Sequence, residues 1–279
     1  MRFLNGFGLF ALALGLGHLG GGSSAYALPV DRGLGLPEAV TPVMHDIVAL
    51  HDWLLITISI IVAFVTVLLA IVMVRFNRRA NPTPTKTTHN TLLEVAWTVL
   101  PVMILVAIAI PSFRLLYKQV VIPEAEMTVK AVGYQWYWGY EYPDQGDISI
   151  ISNMVEDADL QEGQPRLFTA DEAMVVPVDT TVRVIVTAAD VIHAFAVPQF
   201  GVRIDAVPGR LNETWFRAEK TGMYYGQCSE LCGQRHAFMP INVLVVTREE
   251  FQQWSEQQQA AAGSGEKLKL AQAAAADAR

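Results

Sequence analysis

The chain has 279 residues, a formal net charge of −7 and 52% hydrophobic residues. Its pI is near 5.4 and its mean hydropathy is positive, at +0.31. The acidity argues against nucleic acid as a partner, and the hydrophobic share points to membrane segments beside a globular domain.

Residues 1–27 read as a secretory signal peptide that is removed. Arg2 is the charged start, Phe7 to Leu19 is a Leu, Ala and Gly-rich apolar run, and Ala25-Tyr26-Ala27 fits the small-x-small cleavage rule. Residues 28–120 form an N-terminal segment and a two-helix transmembrane hairpin. Leu28 to Val40 is irregular, and an amphipathic helix from Thr41 runs into the first span, about 53–74, which carries no charge. Trp53 sits like an interface anchor.

The connection Arg75-Phe76-Asn77-Arg78-Arg79 to Lys86 holds basic residues and no acidic one, so it is expected on the cytoplasmic side. The second span is about 91–117, with Pro101 and Pro111 inside it as candidate kinks. Both mature termini then face the periplasm of a bacterial inner membrane. Glu94 opens the second span. Its bland reading is a carboxylate that complements the helix dipole.

Residues 121–250 are expected to form the periplasmic domain. Short alternating runs at Met127–Val132, Glu172–Val178, Thr181–Thr187, Arg210–Arg217, Gly222–Tyr225 and Pro240–Thr247 argue for an all-β sandwich or barrel. Tyr134, Trp136, Trp138, Tyr140 and Tyr142 alternate like one face of a single strand, for which packing is the plain reading. Asp144 to Arg166 reads as loop. From Lys118 to Glu250 there are 19 acidic against 10 basic residues, a balance that favours a basic partner through steering. Residues 251–279 read as a low-complexity tail, rich in Ala and Gln, for which a frayed helix and disorder are the two readings.

The chemistry concentrates in Gly226 to Pro240. This stretch holds both cysteines with the spacing Cys228-x3-Cys232-x3-His236-x2-Met239. Thiolate, imidazole and thioether form a soft ligand set that favours copper over magnesium or calcium. A mononuclear electron-transfer site needs one Cys, two His and a weak axial Met. A second thiolate can bridge two ions, so a two-copper site is the natural reading. From Lys118 onward the only other histidine is His193, placed at a strand end after Val182, Val184 and Val186. A disulfide and a zinc site of two Cys and two His are the rivals, and the zinc site leaves Met239 without a role.

The stretch resembles the dinuclear copper (CuA) loop of subunit II of haem-copper cytochrome c oxidases. The resemblance extends over roughly Leu36 to Trp254. It is carried by Gly133-Tyr134-Gln135-Trp136-Tyr137-Trp138, Asp190-Val191-Ile192-His193, Pro208-Gly209-Arg210 and Tyr224-Tyr225-Gly226-Gln227-Cys228-Ser229-Glu230. It implies a cupredoxin-like Greek-key fold that takes electrons from cytochrome c and passes them to haem in subunit I, where oxygen reduction and most proton pumping reside. It also implies the lipid bilayer and other oxidase subunits as partners. Cys228 and Cys232 would bridge, with one imidazole per copper from His193 and His236. Met239 would be axial on the copper of His193, and the Glu230 carbonyl would serve the copper of His236. The Glu230 side chain would help hold Mg²⁺ (or Mn²⁺) at the boundary with subunit I.

The same resemblance places Trp136 where electrons enter and Glu94 at the mouth of a proton path. Glu141, Asp144, Asp147 and Asp190 are candidate docking acids for cytochrome c by their position. Ala189 departs from many relatives, which carry an acid there. A quinol-oxidase subunit would lack the cysteine pair, a copper-delivery protein would not need Trp136, Glu94 or the spans, and a nitrous oxide reductase copper domain would not need the hairpin. No Cys-x-x-Cys-His haem attachment motif is present.

Overall fold

The structure, a computed structural model, describes residue 33 and residues 35–261. The expected signal peptide and the tail beyond 261 lie outside the described residues.

Helix α1 spans Pro42–Arg75, and its sequence explains both ends. Pro42 occupies the first turn, where its missing N–H costs nothing. Thr41 caps the helix by accepting from the Met44 amide at 3.1 Å. At the other end the Asn77 side chain donates to the carbonyls of Met73 and Val74. With 34 residues α1 is about 51 Å long, longer than a bilayer core of about 30 Å. Its first three turns therefore stand clear of the apolar stretch. There Val43 and Met44 are buried, and the Thr41 hydroxyl donates to the Phe200 carbonyl.

Helix α2 spans Thr91–Val120 and runs through Pro101 and Pro111 as one helix. Its last turn is tied down by the Trp215 indole, which donates to the Lys118 carbonyl at 3.0 Å. Both helices are long and apolar enough to cross a membrane, and their apolar side chains face outward.

The rest is a β-sandwich of ten strands: β1 Met127–Tyr134, β2 Tyr137–Tyr142, β3 Ile148–Ser152, β4 Met174–Pro177, β5 Val182–Ala188, β6 His193–Val197, β7 Val202–Ala206, β8 Asn212–Phe216, β9 Gly222–Gln227 and β10 Pro240–Val246. One sheet has the order β3-β2-β1-β5-β8, a second β4-β10-β9, and β6 and β7 form a hairpin. Two pairings are parallel, β1 with β5 and β4 with β10. The core between the layers includes Val129, Ala131, Trp138, Val184, Phe195, Tyr224 and Ile241. Two apolar helices followed by an all-β sandwich is the architecture expected from the sequence.

Three details differ from that expectation. The aromatic run is two strands, not one: the chain turns at Gln135 and Trp136, and Tyr134 pairs with Tyr137. Trp138, Tyr140 and Tyr142 still share the buried face. The stretch read as loop contains β3, where Ile148, Ile150 and Ser152 turn inward in strict alternation. The expected tail begins as a helix, α3, over 248–261. Thr247 and Glu250 open it as a reciprocal capping box, and Trp254 packs edge-on to Tyr142 at 5.1 Å.

Candidate metal centre

Strands β9 and β10 are neighbours whose pairing ends at Gln227 opposite Pro240. The whole Cys-His-Met segment is therefore the loop that joins them. Cys228 is its first residue and Met239 its last, and a hydrogen bond from the Cys228 amide to the Met239 carbonyl at 3.4 Å closes the neck. Across this loop lies β6, whose first residue is His193. The Ser229 amide donates to the Ala194 carbonyl at 3.1 Å, which fixes the loop against that strand. Gly226 permits the approach: a Cβ there would stand 2.1 Å from the Ala196 carbonyl oxygen.

The donor atoms converge. The two sulfurs are 3.9 Å apart. His193 Nδ1 is 3.9 Å from Cys228 Sγ, and His236 Nδ1 is 3.5 Å from Cys232 Sγ. Met239 Sδ is 3.5 Å from Cys232 Sγ, and the Glu230 carbonyl oxygen is 3.3 Å from Cys228 Sγ. His193, Cys228 and Cys232 are buried and place their ligand atoms within 4.8 Å of one another, as a metal site requires. The sulfurs are far beyond the ~2.05 Å of a disulfide, and both cysteines are free. Yet their separation is less than twice a metal–thiolate bond of about 2.3 Å, so one ion can touch both and a second can do the same from the other side. One imidazole lies against each sulfur, His193 by Cys228 and His236 by Cys232. The residues fit a bridged pair better than a single tetrahedral ion, for which a thioether is a poor donor.

The thiols do not titrate alike. Burial raises the Cys228 thiol, but the His193 imidazole and the Ala194 amide outweigh it, and the result falls to about 7. Burial and the neighbouring Cys228 thiolate push Cys232 up to about 12. One proton leaves readily and the second is held by the first negative charge, a charge that a bound cation would neutralise.

His193 is fully buried and held from behind. Its Nε2 lies 2.9 Å from Asp190 Oδ1. Donating that proton leaves Nδ1 as the lone pair facing Cys228. Burial alone would lower the imidazole pKa, but Cys228 and Asp190 raise it on balance. Asp190 Oδ2 also accepts from the Gln135 amide at 2.7 Å, and the Gln135 side chain donates to the Cys232 carbonyl at 2.8 Å. Beneath the ring lies Gly133, where a Cβ would come within 2.9 Å of His193 Cδ2. Sequence reasoning assigned Asp190 to docking alone and missed Gln135 and Gly133. The available signal for Gly133 was a glycine inside a strand pattern, which marks a close approach.

The remaining predicted residues fall in four places. Trp136 is at the β1–β2 tip, half-buried against the loop, with its Cζ2 3.1 Å from where a Gly233 Cβ would stand. Glu230 turns its carboxylate outward, 4.0 Å from Arg203, into a cleft of about 530 Å³ shared with Asp205, Arg210 and Asn212. Glu141 pairs with Lys130 across β1 and β2, Asp144 accepts from the Thr128 amide, and Asp147 is exposed. These three stand at the far end of β2, about 16 Å along the strand from Trp136, so the structure brings only Asp190 to the metal loop. Glu94 lies far from it, in the first turn of α2. There its carboxylate accepts from the Asn90 amide at 3.3 Å while Asn90 caps Leu93.

Known proteins share this chain's sequence over most of its length. The family model described as cytochrome c oxidase subunit II, periplasmic domain, matches residues 127–246, and that of the subunit II transmembrane domain matches residues 29–115. A probable cytochrome c oxidase subunit 2 of Rickettsia bellii is 51% identical over 243 residues, which is 87% of this chain and 90% of the relative. Cytochrome c oxidase subunit 2 of Cereibacter sphaeroides is 48% identical over 247 residues, 82% of this chain and 81% of the relative. The crystal structure of the periplasmic domain of subunit II of cytochrome oxidase of Bradyrhizobium japonicum is 58% identical. It covers 50% of this chain and 99% of that one, with a TM-score of 0.48.

Proposed function

This chain belongs to the cytochrome c oxidase subunit II family, so it is one part of an oxidoreductase, and from that premise we propose that it is the copper-bearing electron acceptor of its oxidase. Electrons arrive from cytochrome c in the periplasm and leave for the haem of subunit I. The observation that carries the reading is the convergence of two free thiols, two imidazoles and a thioether on one neck of the β9–β10 loop.

When bound, a copper pair supplies a one-electron carrier whose charge is shared over two ions, so little rearranges on reduction. The protein supplies the frame. Cys228 and Cys232 would hold both coppers, and His193 and His236 would each bind one of them. Met239 and the Glu230 carbonyl would be the weak donors, Met239 to the copper of His193 and the carbonyl to the copper of His236. Asp190 holds His193 in the tautomer that offers Nδ1. The buried walls keep water from the sulfurs.

Around that frame the other roles follow. Trp136 passes electrons to the loop it rests on. The acids Glu141, Asp144, Asp147 and Asp190 attract a basic cytochrome c, although Asp190 is already engaged at the site. The Glu230 side chain would help hold a Mg²⁺ or Mn²⁺ shared with subunit I, in exchange for its contact with Arg203 in a cleft that Arg210 also lines. Glu94 takes protons toward subunit I in addition to capping α2. Residues 1–27 are a removed signal peptide, 28–120 the membrane hairpin and 121–250 the periplasmic cupredoxin-like domain, with both mature termini outside the bacterial inner membrane. The helix over 248–261 extends the packed part past 250.

The test is the oxidation rate of reduced cytochrome c by the assembled complex across an ionic-strength series. Attraction to an acidic face predicts a rate that falls steeply as salt screens it. A flat profile would contradict the docking reading.

A further inference from the structure

At the end of the hairpin nearest the sandwich, α1 and α2 leave a cleft of about 520 Å³. Leu50 and Leu115 give it an apolar wall, and Trp53 lines it beside them. Its charges are Asp46, Lys118 and Arg114. The first two neutralise one another, since the Lys118 ammonium donates to the Asp46 carboxylate and to the Pro42 carbonyl. Arg114 is exposed and makes no ion pair among the described residues.

The depth of this cleft along the helices is informative. Trp53 opens the uncharged run of α1, directly after Asp52, and Arg114 is the first charged residue of α2 after Glu94. Indole and guanidinium therefore meet at the edge of the apolar band, the level of phospholipid headgroups when the helices span a bilayer. A guanidinium there gains most from a planar, bidentate anion. The apolar wall and the outward-facing aliphatic surface below it suit hydrocarbon. A free phosphate would use the first feature and leave the second unexplained.

We propose that this cleft is a binding site for an anionic phospholipid. Arg114 holds the phosphate, Trp53 packs beside the glycerol backbone, and an acyl chain lies along Leu50 and Leu115. The inference rests on the two helices crossing a bilayer and is independent of the metal centre.

The experiment uses the assembled oxidase in vesicles of phosphatidylcholine with a small fraction of phosphatidylglycerol that carries a photoreactive acyl chain. Cross-linked peptides are mapped by mass spectrometry. Labelling should concentrate on 46–53 and 111–118. Unlabelled phosphatidylglycerol should compete it away, and inorganic phosphate should not. Arg114→Gln should lower labelling there by roughly fivefold, the loss of one basic contact at a membrane surface, while labels elsewhere on the spans stay constant. Even labelling along both helices, or labelling unchanged in Arg114→Gln, would overturn the site. Normal labelling outside the cleft with none inside would mean that another protein helix fills it, which also overturns it. No label on either helix would remove the bilayer premise and the proposal with it. If Arg114→Gln does not assemble, the competition result on the unsubstituted complex decides.

Discussion

The two histidines of the metal centre are held in opposite ways. His193 begins a fully buried strand, with Asp190 behind its ring, Gly133 beneath it and Trp138 edge-on at 6.1 Å. His236 sits half-buried on a short turn of the loop, where its amide bonds the Gly233 carbonyl. One flank of the site is thus built into the sandwich. The other rests on a short turn of the loop, where the His236 ring approaches Cys232 Sγ at 3.5 Å.

That contrast breaks most sharply under truncation. His193→Ala should destabilise the metal-free chain by about 2–4 kcal/mol, because it opens a buried cavity and removes one of the partners of Asp190. His236→Ala should cost less than about 1 kcal/mol in the same state. Denaturant unfolding of the two full-length variants without copper gives the comparison, and equal losses would show that both flanks are equally pre-built. A smaller change sharpens it. Asp190→Asn keeps the size of the side chain and removes its charge, so copper affinity should fall by about 10- to 100-fold while unfolding changes little. Competition titration with a copper chelator reads this, and an unchanged affinity would return Asp190 to a docking role alone. The last variant is Trp136→Gln. Electron entrance should slow by about tenfold, about 1.4 kcal/mol of barrier, with copper content intact. Loss of copper instead would make Trp136 a structural clamp on Gly233.

The two regions of the fold were unequally legible in the sequence. The hairpin announced itself because a lipid-facing helix is apolar all round, and no partner is needed to see that. The candidate metal loop was legible because Cys228, Cys232, His236 and Met239 lie close together in sequence, whereas His193 comes from 35 residues before Cys228. Strand β6 was missed for a physical reason: His193–Val197 is buried at every position and so shows no alternation. Strand β7 was overlooked although Val202–Ala206 alternates apolar residues with the exposed Arg203 and Asp205. The one-face reading of the aromatic run holds only within β2: Trp138, Tyr140 and Tyr142 point inward, but the turn at Gln135 and Trp136 sets Tyr134 opposite Tyr137, where the two rings stack on the outer face. Asp190 could not be read as the anchor of His193 from spacing. Its place depends on the parallel pairing of β1 with β5, which sets Gly133 beside Ala188 and so brings the tip at Gln135 to Asp190.

The central claim is that Cys228 and Cys232 bridge two coppers between the two imidazoles. Copper quantification with electron paramagnetic resonance on the reconstituted full chain tests it most directly. The account predicts two coppers per chain and a hyperfine pattern from one electron shared equally by both nuclei, lost together in Cys228→Ser. One copper per chain with the pattern of a single nucleus, surviving in Cys228→Ser, would contradict it.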